Sequence, residues 1–216
     1  MREFQRARSQ EQKEERINEI KKAADKQFME KSYSDISMTT IASDLGWTRA
    51  NLYKYIKTKE EIYLLLAEDK REEYMSSLLS AIPENCGYSN ETLAEVWAEI
   101  LKAHPQYIRY SDILITIIET NVSVDKLAVF KKNYYESAAR VTARLSSLLK
   151  ITEEDAYSLF MAVHYHAIGI GGICTYNPLI QKALEKANIH PAQTDFKESM
   201  KEFILMNLEH YTRKQD

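Results

Sequence analysis

Only four prolines and five glycines interrupt 216 residues, and that scarcity constrains the fold more than any other property of the chain. Average usage is roughly 7% Gly and 5% Pro, so a chain this poor in both has few turns and is built from long helices. The prolines stand where helical patterns start or stop, at Pro83, Pro105, Pro178 and Pro191. Gly46 and Gly87 fall between periodic segments, whereas Gly169, Gly171 and Gly172 cluster late in one apolar segment.

Apolar periodicity fills in the rest. Ile17, Ile20, Ala24 and Phe28 mark a first helix over 11–31, with Glu11, Glu14 and Glu15 toward its start and Lys31 at its end, as the macrodipole prefers. Ser37 caps a short second helix carrying Met38, Ile41, Ala42 and Leu45, which Gly46 ends. Thr48 caps a third with Leu52, Tyr53 and Ile56, and Thr58 with Glu61 forms a capping box for a fourth over 59–81. Further helices are expected over 91–104, 106–121, 125–150, 153–174 and 196–211, with 178–191 a short helix or loop. No strand pattern stands out. The fold class is all-α, about nine helices, divided into a small part over 1–58 and a larger one over 59–216.

Composition excludes several classes. Hydrophobic residues at 44% and charged residues at 28%, with net charge -3, fit neither a disordered nor a collagen-like chain. No window approaches 18 uncharged apolar residues, and Met1 is followed by Arg2, Glu3 and Gln5 rather than an apolar signal region, so a soluble cytoplasmic protein with no membrane partner is expected. Cys86 and Cys174 are too few for a disulfide framework and lack zinc spacing. Charge is unevenly spread. Residues 1–60 hold 13 Lys/Arg against 10 Asp/Glu, or +3, and the remaining 16 basic and 22 acidic residues give -6. The first part can approach phosphates; the second repels nucleic acid.

The segment Ser37–Ile62 carries the chemistry. Two short helices crossing steeply need a small residue where their backbones approach and a glycine where the turn has positive φ. Ala42 and Gly46 supply these, and Ile41, Leu45, Trp47 and Leu52 stand at the offsets that fill a shared core. The pairs Ile41-Ala42, Leu45-Gly46 and Leu52-Tyr53, with Thr48 and Thr58-Lys59-Glu60, resemble the helix-turn-helix signature of tetracycline-repressor-type regulators over roughly residues 14–66. Two positions depart from that pattern: Ile56 stands where the family usually has Phe, and Tyr55 where His is common.

The resemblance implies that the third helix enters the DNA major groove, in a dimer that meets a palindromic double-stranded operator. Arg49 and Asn51 have the donor and acceptor sets that read guanine and adenine edges, and Thr39 or Thr48 can add base or phosphate contacts, with Ala50 on the same helix. Tyr53, Lys54, Tyr55 and Lys59 are assigned to phosphates. Tyr53 can equally pack its ring against the first helix. Arg2, Arg6 and Arg8 form an arm that either frays or adds contacts to the DNA.

The rest of the chain resembles the family in architecture alone, which implies a small-molecule effector site and a dimer interface. Trp97, Tyr107, Tyr110, Glu119, Phe130, Tyr134, Met161 and His164 are the effector candidates, a lining suited to an apolar, aromatic or cationic ligand. The plain alternative is that the aromatics are core and Glu119 solvated. In helix 153–174, Ala156, Leu159, Phe160, Val163, Ala167 and Ile170 form one stripe, and Tyr157, Met161, His164, Ile168 and Gly172 a second. Two apolar faces need two partners, so this helix and 196–211 are expected to build a four-helix homodimer interface; the other reading makes 153–174 central within a monomer. His164 and His166 are two apart and face different sides of a helix, so no metal is assigned. No catalytic constellation and no cofactor motif is present, which excludes an enzyme. A helical carrier or adaptor without operator binding is the competing reading, against which the intact Arg49, Asn51, Tyr53 and Lys59 set argues.

Overall fold

The computed structural model describes residues 2–174 and 178–213; the side chains of 1–9 and 175–178, and with them the Arg2, Arg6 and Arg8 arm, lie outside the described residues. Ten α-helices and no strand occur among the described residues. They are α1 (Arg2–Glu30), α2 (Met38–Asp44), α3 (Arg49–Leu52), α4 (Lys59–Ala81), α5 (Asn90–Ala103), α6 (Pro105–Ile113), α7 (Val124–Leu149), α8 (Glu153–Cys174), α9 (Pro178–Ala187) and α10 (Phe196–Arg213). No single helix among them is long and apolar enough to cross a membrane.

The caps explain the short helices. Ser37 Oγ accepts from Thr40 N at 3.2 Å while Thr40 Oγ1 accepts from Ser37 N at 3.0 Å, a reciprocal box that starts α2. At the other end Trp47 N donates to Ala42 O at 2.8 Å and Gly46 N to Ser43 O at 3.0 Å, with Gly46 at φ +65. That is a Schellman ending, and it needs the left-handed residue that glycine supplies most cheaply. A Cβ at Gly46 would meet nothing within 4 Å, so Gly46→Ala should cost backbone strain alone, about 1 kcal/mol. A urea midpoint that does not move would mean the turn tolerates a β-carbon at that φ.

Helix 106–121, expected as one element, changes character after Ile113. Leu114–Ile118 forms a π-helical turn and Glu119–Asn121 a 3-10 turn. The run Ile113, Ile115, Thr116, Ile117 and Ile118 is β-branched, which weakens α-helix. Thr120 Oγ1 and Asn121 Nδ2 then donate to Ile117 O at 3.1 and 2.7 Å, competing with the backbone for that carbonyl. The 178–191 segment, open between helix and loop, is helical over Pro178–Ala187.

Contacts divide the chain into two compact units, residues 1–69 with 113–130, and 70–112 with 131–216. The sequence boundary at residue 58 therefore falls inside the first unit, which also takes in the start of α4 and of α7. Lys126 on α7 explains part of this, for its ammonium sits 2.6 Å from Glu61 on α4. Burial alone would raise the Glu61 carboxyl; the Lys126 ammonium and the Lys57 N–H, which donates to it at 3.0 Å, outweigh burial and hold it below its usual range. Glu61 thus reaches Lys57 rather than the Thr58 N–H of the expected capping box, although Thr58 Oγ1 does accept from Glu61 N at 3.2 Å.

In the first unit Ile20, Ala24 and Phe28 of α1 share a core with Ile41, Ala42, Leu52, Ile56 and Ile62. Trp47, expected in that core, is half-buried; its ring lies 5.8 Å from Tyr55 and beneath Arg16. A buried polar clamp joins α1 to α2: Gln27 accepts from Thr40 Oγ1 at 2.8 Å and donates to Asp44 at 2.7 Å. In the second unit α5, α8 and α10 pack around Trp97, Leu101, Leu159, Phe160, Val163, Ile204 and Leu208. Lys197 and Lys201 of α10 bridge to Glu95 of α5, at 2.5 and 2.6 Å. Gly171 lets α8 approach α6, since a Cβ there would lie 2.6 Å from Ile108 Cγ2.

Candidate nucleic-acid interface

The elements α2 and α3, with the Gly46 turn between them, present the residues assigned to DNA. Thr39, Thr48, Arg49, Ala50, Tyr53 and Lys54 are exposed, and Asn51 is half-exposed. Thr48 is committed as the α3 N-cap, its Oγ1 accepting from Asn51 N at 3.2 Å. That leaves its hydroxyl proton available for a phosphate. Leu52 is fully buried, which fixes the rotation of α3 and so turns Arg49, Ala50 and Tyr53 outward.

An open groove of about 360 Å3 runs along this face, lined by Ser37, Thr39, Arg49, Tyr53, Lys57, Thr58 and Lys59, with Ile36, Met38 and Glu60. Hydroxyls and cations alternating around a groove match the donors that phosphate oxygens accept. Lys57 was not among the sequence candidates. Its signal was present, a cation directly before the Thr58 cap of α4, but spacing alone did not place it beside Arg49.

Two of the expected phosphate residues have other engagements. The Lys59 ammonium donates to Tyr33 O at 3.1 Å and Ile36 O at 2.9 Å and lies 4.1 Å above the Tyr33 ring. It therefore pins the α1–α2 connection to the start of α4, with one N–H left for the groove. Tyr33 reinforces the pin, its hydroxyl donating to Glu60 at 3.0 Å. Burial, and next the Glu60 carboxylate, push the Tyr33 phenol far up, so it stays protonated as that donor. Tyr55 is half-buried against Trp47, which accounts for a tyrosine here in terms of packing.

The effector candidates divide between the units. Glu119 and Phe130 belong to the first; Trp97, Tyr107, Tyr110, Tyr134, Met161 and His164 belong to the second. There Trp97 Nε1 donates to Tyr74 Oη at 2.8 Å, Tyr74 stacks on Tyr107 at 4.2 Å, and Tyr107 Oη shares a hydrogen bond of 2.7 Å with His164 Nδ1. Tyr134 Oη donates to Met161 Sδ at 3.4 Å. Tyr110 is fully buried. Burial pushes His164 down to about 4, so its ring is neutral at pH 7.

Two members of this cluster were missed, Tyr74 and Arg71, both on α4. Arg71 is 3% exposed, and its guanidinium lies 5.6 Å from the centre of the Tyr134 ring. A signal existed: Arg71 sits in the stripe Leu64, Ala67, Arg71, Met75, Leu78, where helical spacing calls for an apolar residue. His164 and His166 do face different sides, for His166 stacks on Phe203 at 3.8 Å. Among the described residues no group of three His, Cys, Asp or Glu could hold a metal ion.

A helix-turn-helix with an outward Arg49, a capped recognition helix and a cationic, hydroxyl-rich groove defines a DNA-binding regulator. Comparison with known families makes this specific. Residues 20–66 match the model for bacterial regulatory proteins of the tetR family, and residues 68–209 match the tetracyclin repressor-like C-terminal domain. The chain belongs to the TetR family of transcriptional regulators, and is a regulator rather than an enzyme.

Solved structures of low identity share the fold. One is described as the fatty acid degradation regulator FadR from Bacillus halodurans, with TM-score 0.56, 14% identity, 89% of this chain covered and 94% of that one. Another is a putative TetR-family transcriptional regulator from Mesorhizobium loti MAFF303099, with TM-score 0.56, 17% identity and coverage of 94% and 97%. No curated protein sequence matches the chain.

Proposed function

We propose that this protein is a homodimeric repressor that binds a palindromic operator and is released by a small molecule. The observation that carries the reading is Arg49 held outward on a capped α3 beside a groove of cations and hydroxyls. Arg49 and Asn51 read base edges; Thr39, Thr48, Tyr53, Lys54 and Lys57 hold the backbone. In this reading residues 1–58 carry the operator reader and residues 59–216 the effector and dimer functions.

The effector site is the cluster of Tyr107, Tyr134, Met161 and His164, with Trp97 and Tyr110 packed in the same unit. Arg71 in that cluster disfavours a cation, so the class narrows from the three expected to an apolar or aromatic molecule without positive charge. An effector that prefers a dimer whose recognition helices are not about 34–36 Å apart weakens operator binding by its differential affinity, typically about 1–3 kcal/mol.

The second copy packs on α8 and α10. Ser158, Ala162, Tyr165, Gly169 and Ile173 recur along one outward side of α8, and Phe203, which covers His166, Met206 and His210 lie on α10. Of the expected second stripe only His164 is buried within the protomer, and the dimer face in this reading is centred on Ala162 and Gly169, beside the exposed Tyr157 and Gly172. Small residues there allow two α8 helices to approach closely.

Anisotropy titrations of duplex fragments from the protein's own promoter region test the reading. The wild type should bind one fragment with a steep negative slope of log affinity against log salt. Arg49→Ala should lose about 1–3 kcal/mol on that fragment and relax one base position. A folded sample that ignores every fragment in dilute buffer would overturn operator binding and favour a carrier.

A further inference from the structure

We propose that Tyr53 is a positioning residue for base reading: it fixes Arg49 so that the guanidinium meets a guanine through its two terminal nitrogens. The proposal rests on the reading of Arg49 as a base-contacting side chain.

Arg49 and Tyr53 are four residues apart, one on α3 and the other at its C-cap, hence on the same helix face. Arg49 Nε and Nη2 both donate to Tyr53 Oη, at 2.9 and 2.6 Å, and the guanidinium carbon lies 5.1 Å from the ring centre. Both side chains are exposed, Tyr53 by 39%, so burial does not force this pairing. The two hydrogen bonds consume the Nε/Nη2 edge of the fork. The Nη1/Nη2 edge remains, carrying two parallel N–H groups at the spacing of guanine O6 and N7.

Holding the arginine in advance matters because its side chain otherwise samples many rotamers, and ordering it on binding weakens the complex. The phenol oxygen accepts both N–H bonds with its lone pairs, leaving its own O–H to donate to a phosphate. That donor is neutral. It displaces no condensed cation from DNA and so adds nothing to the salt slope, which counts lysine and arginine contacts.

Tyr53→Phe separates the positioning role from a phosphate anchor, since it keeps the ring and deletes the oxygen. The full-length protein would be titrated against its operator, against operators with each other base at the Arg49 position, and against random duplex. The expected result is a loss of about tenfold in preference for guanine at that position, on top of a small loss shared by every sequence, random duplex included, from the deleted phosphate hydrogen bond, with the salt slope unchanged. An equal loss on every sequence, with the guanine preference intact, overturns the proposal and leaves Tyr53 a backbone contact. Arg49→Ala is the companion measurement. If it relaxes a base position while Tyr53→Phe does not, positioning alone fails; if it relaxes none, the base-reading role of Arg49 fails and positioning falls with it. Circular dichroism and a melting curve establish that each variant is folded.

Discussion

Replacing Ala162 with glutamate is expected to turn the dimer into a folded monomer and to lower operator affinity by about a thousandfold or more. Ala162 lies on the outward side of α8, half-exposed in the protomer, with Ser158 before it and Tyr165 and Gly169 after it. Glutamate is a good helix former, so the protomer pays little for it. In the proposed dimer the same side chain would meet its own copy across a two-fold axis, where a carboxylate has to be desolvated and faces a like charge. Operator affinity then collapses because one recognition helix reaches only one half-site. Sedimentation at micromolar concentration and anisotropy on the operator are the paired measurements. A dimer that persists and still binds would put the interface elsewhere. An unfolded sample by circular dichroism would mean that α8 packs within the protomer at Ala162, and Gly169→Glu then repeats the test about two turns further along.

The reading segment was legible because its physics is local. Ser37, Thr48 and Thr58 each cap within three residues, and Gly46 announces the left-handed ending of α2 by residue type alone. Leu52 and Ile56 were placed in the core by spacing and are buried. Trp47 was misplaced because spacing gives a direction, and whether a large ring reaches the core or lies over it depends on neighbours such as Tyr55 and Arg16. Lys59 shows the same limit. A cation at a helix start suggests an anion, yet the carbonyls that hold it, those of Tyr33 and Ile36, come from residues more than twenty positions earlier.

The larger unit was less legible because its contacts are remote in sequence. Tyr74 to Trp97 and Tyr107 to His164 join residues 23 and 57 apart, and no periodicity predicts such pairings. Arg71 could have been flagged as a charge in an apolar stripe, although its place beside Tyr134 needs the packed structure. Of the second stripe expected on α8, Tyr157 and Gly172 are exposed and Met161 and Ile168 half-exposed, whereas His164 is buried through its bond to Tyr107, a partner that periodicity does not reveal.

The burial of that same histidine carries the last expectation, a loss of about 3 kcal/mol of folding stability between pH 6.5 and pH 4 from one residue. His164 sits 8% exposed beside Tyr107, and burial lowers it from 6.5 to about 4. In that window the unfolded chain takes a proton at this position and the folded chain does not. The stability is therefore fully present above pH 6.5, declines as the pH falls, and reaches its full loss near pH 4. A cation formed in place would lie among buried aromatic rings, and the desolvation this imposes is what holds the ring neutral. His164→Gln keeps a hydrogen-bonding group for Tyr107 and cannot titrate. Its stability at pH 7 should fall, while its urea midpoint should change less than that of the wild type between pH 7 and pH 4.5, with the carboxylates common to both. Parallel pH profiles for the two proteins would mean that His164 charges without resistance in the fold, and that its site beside Tyr107 is open to water.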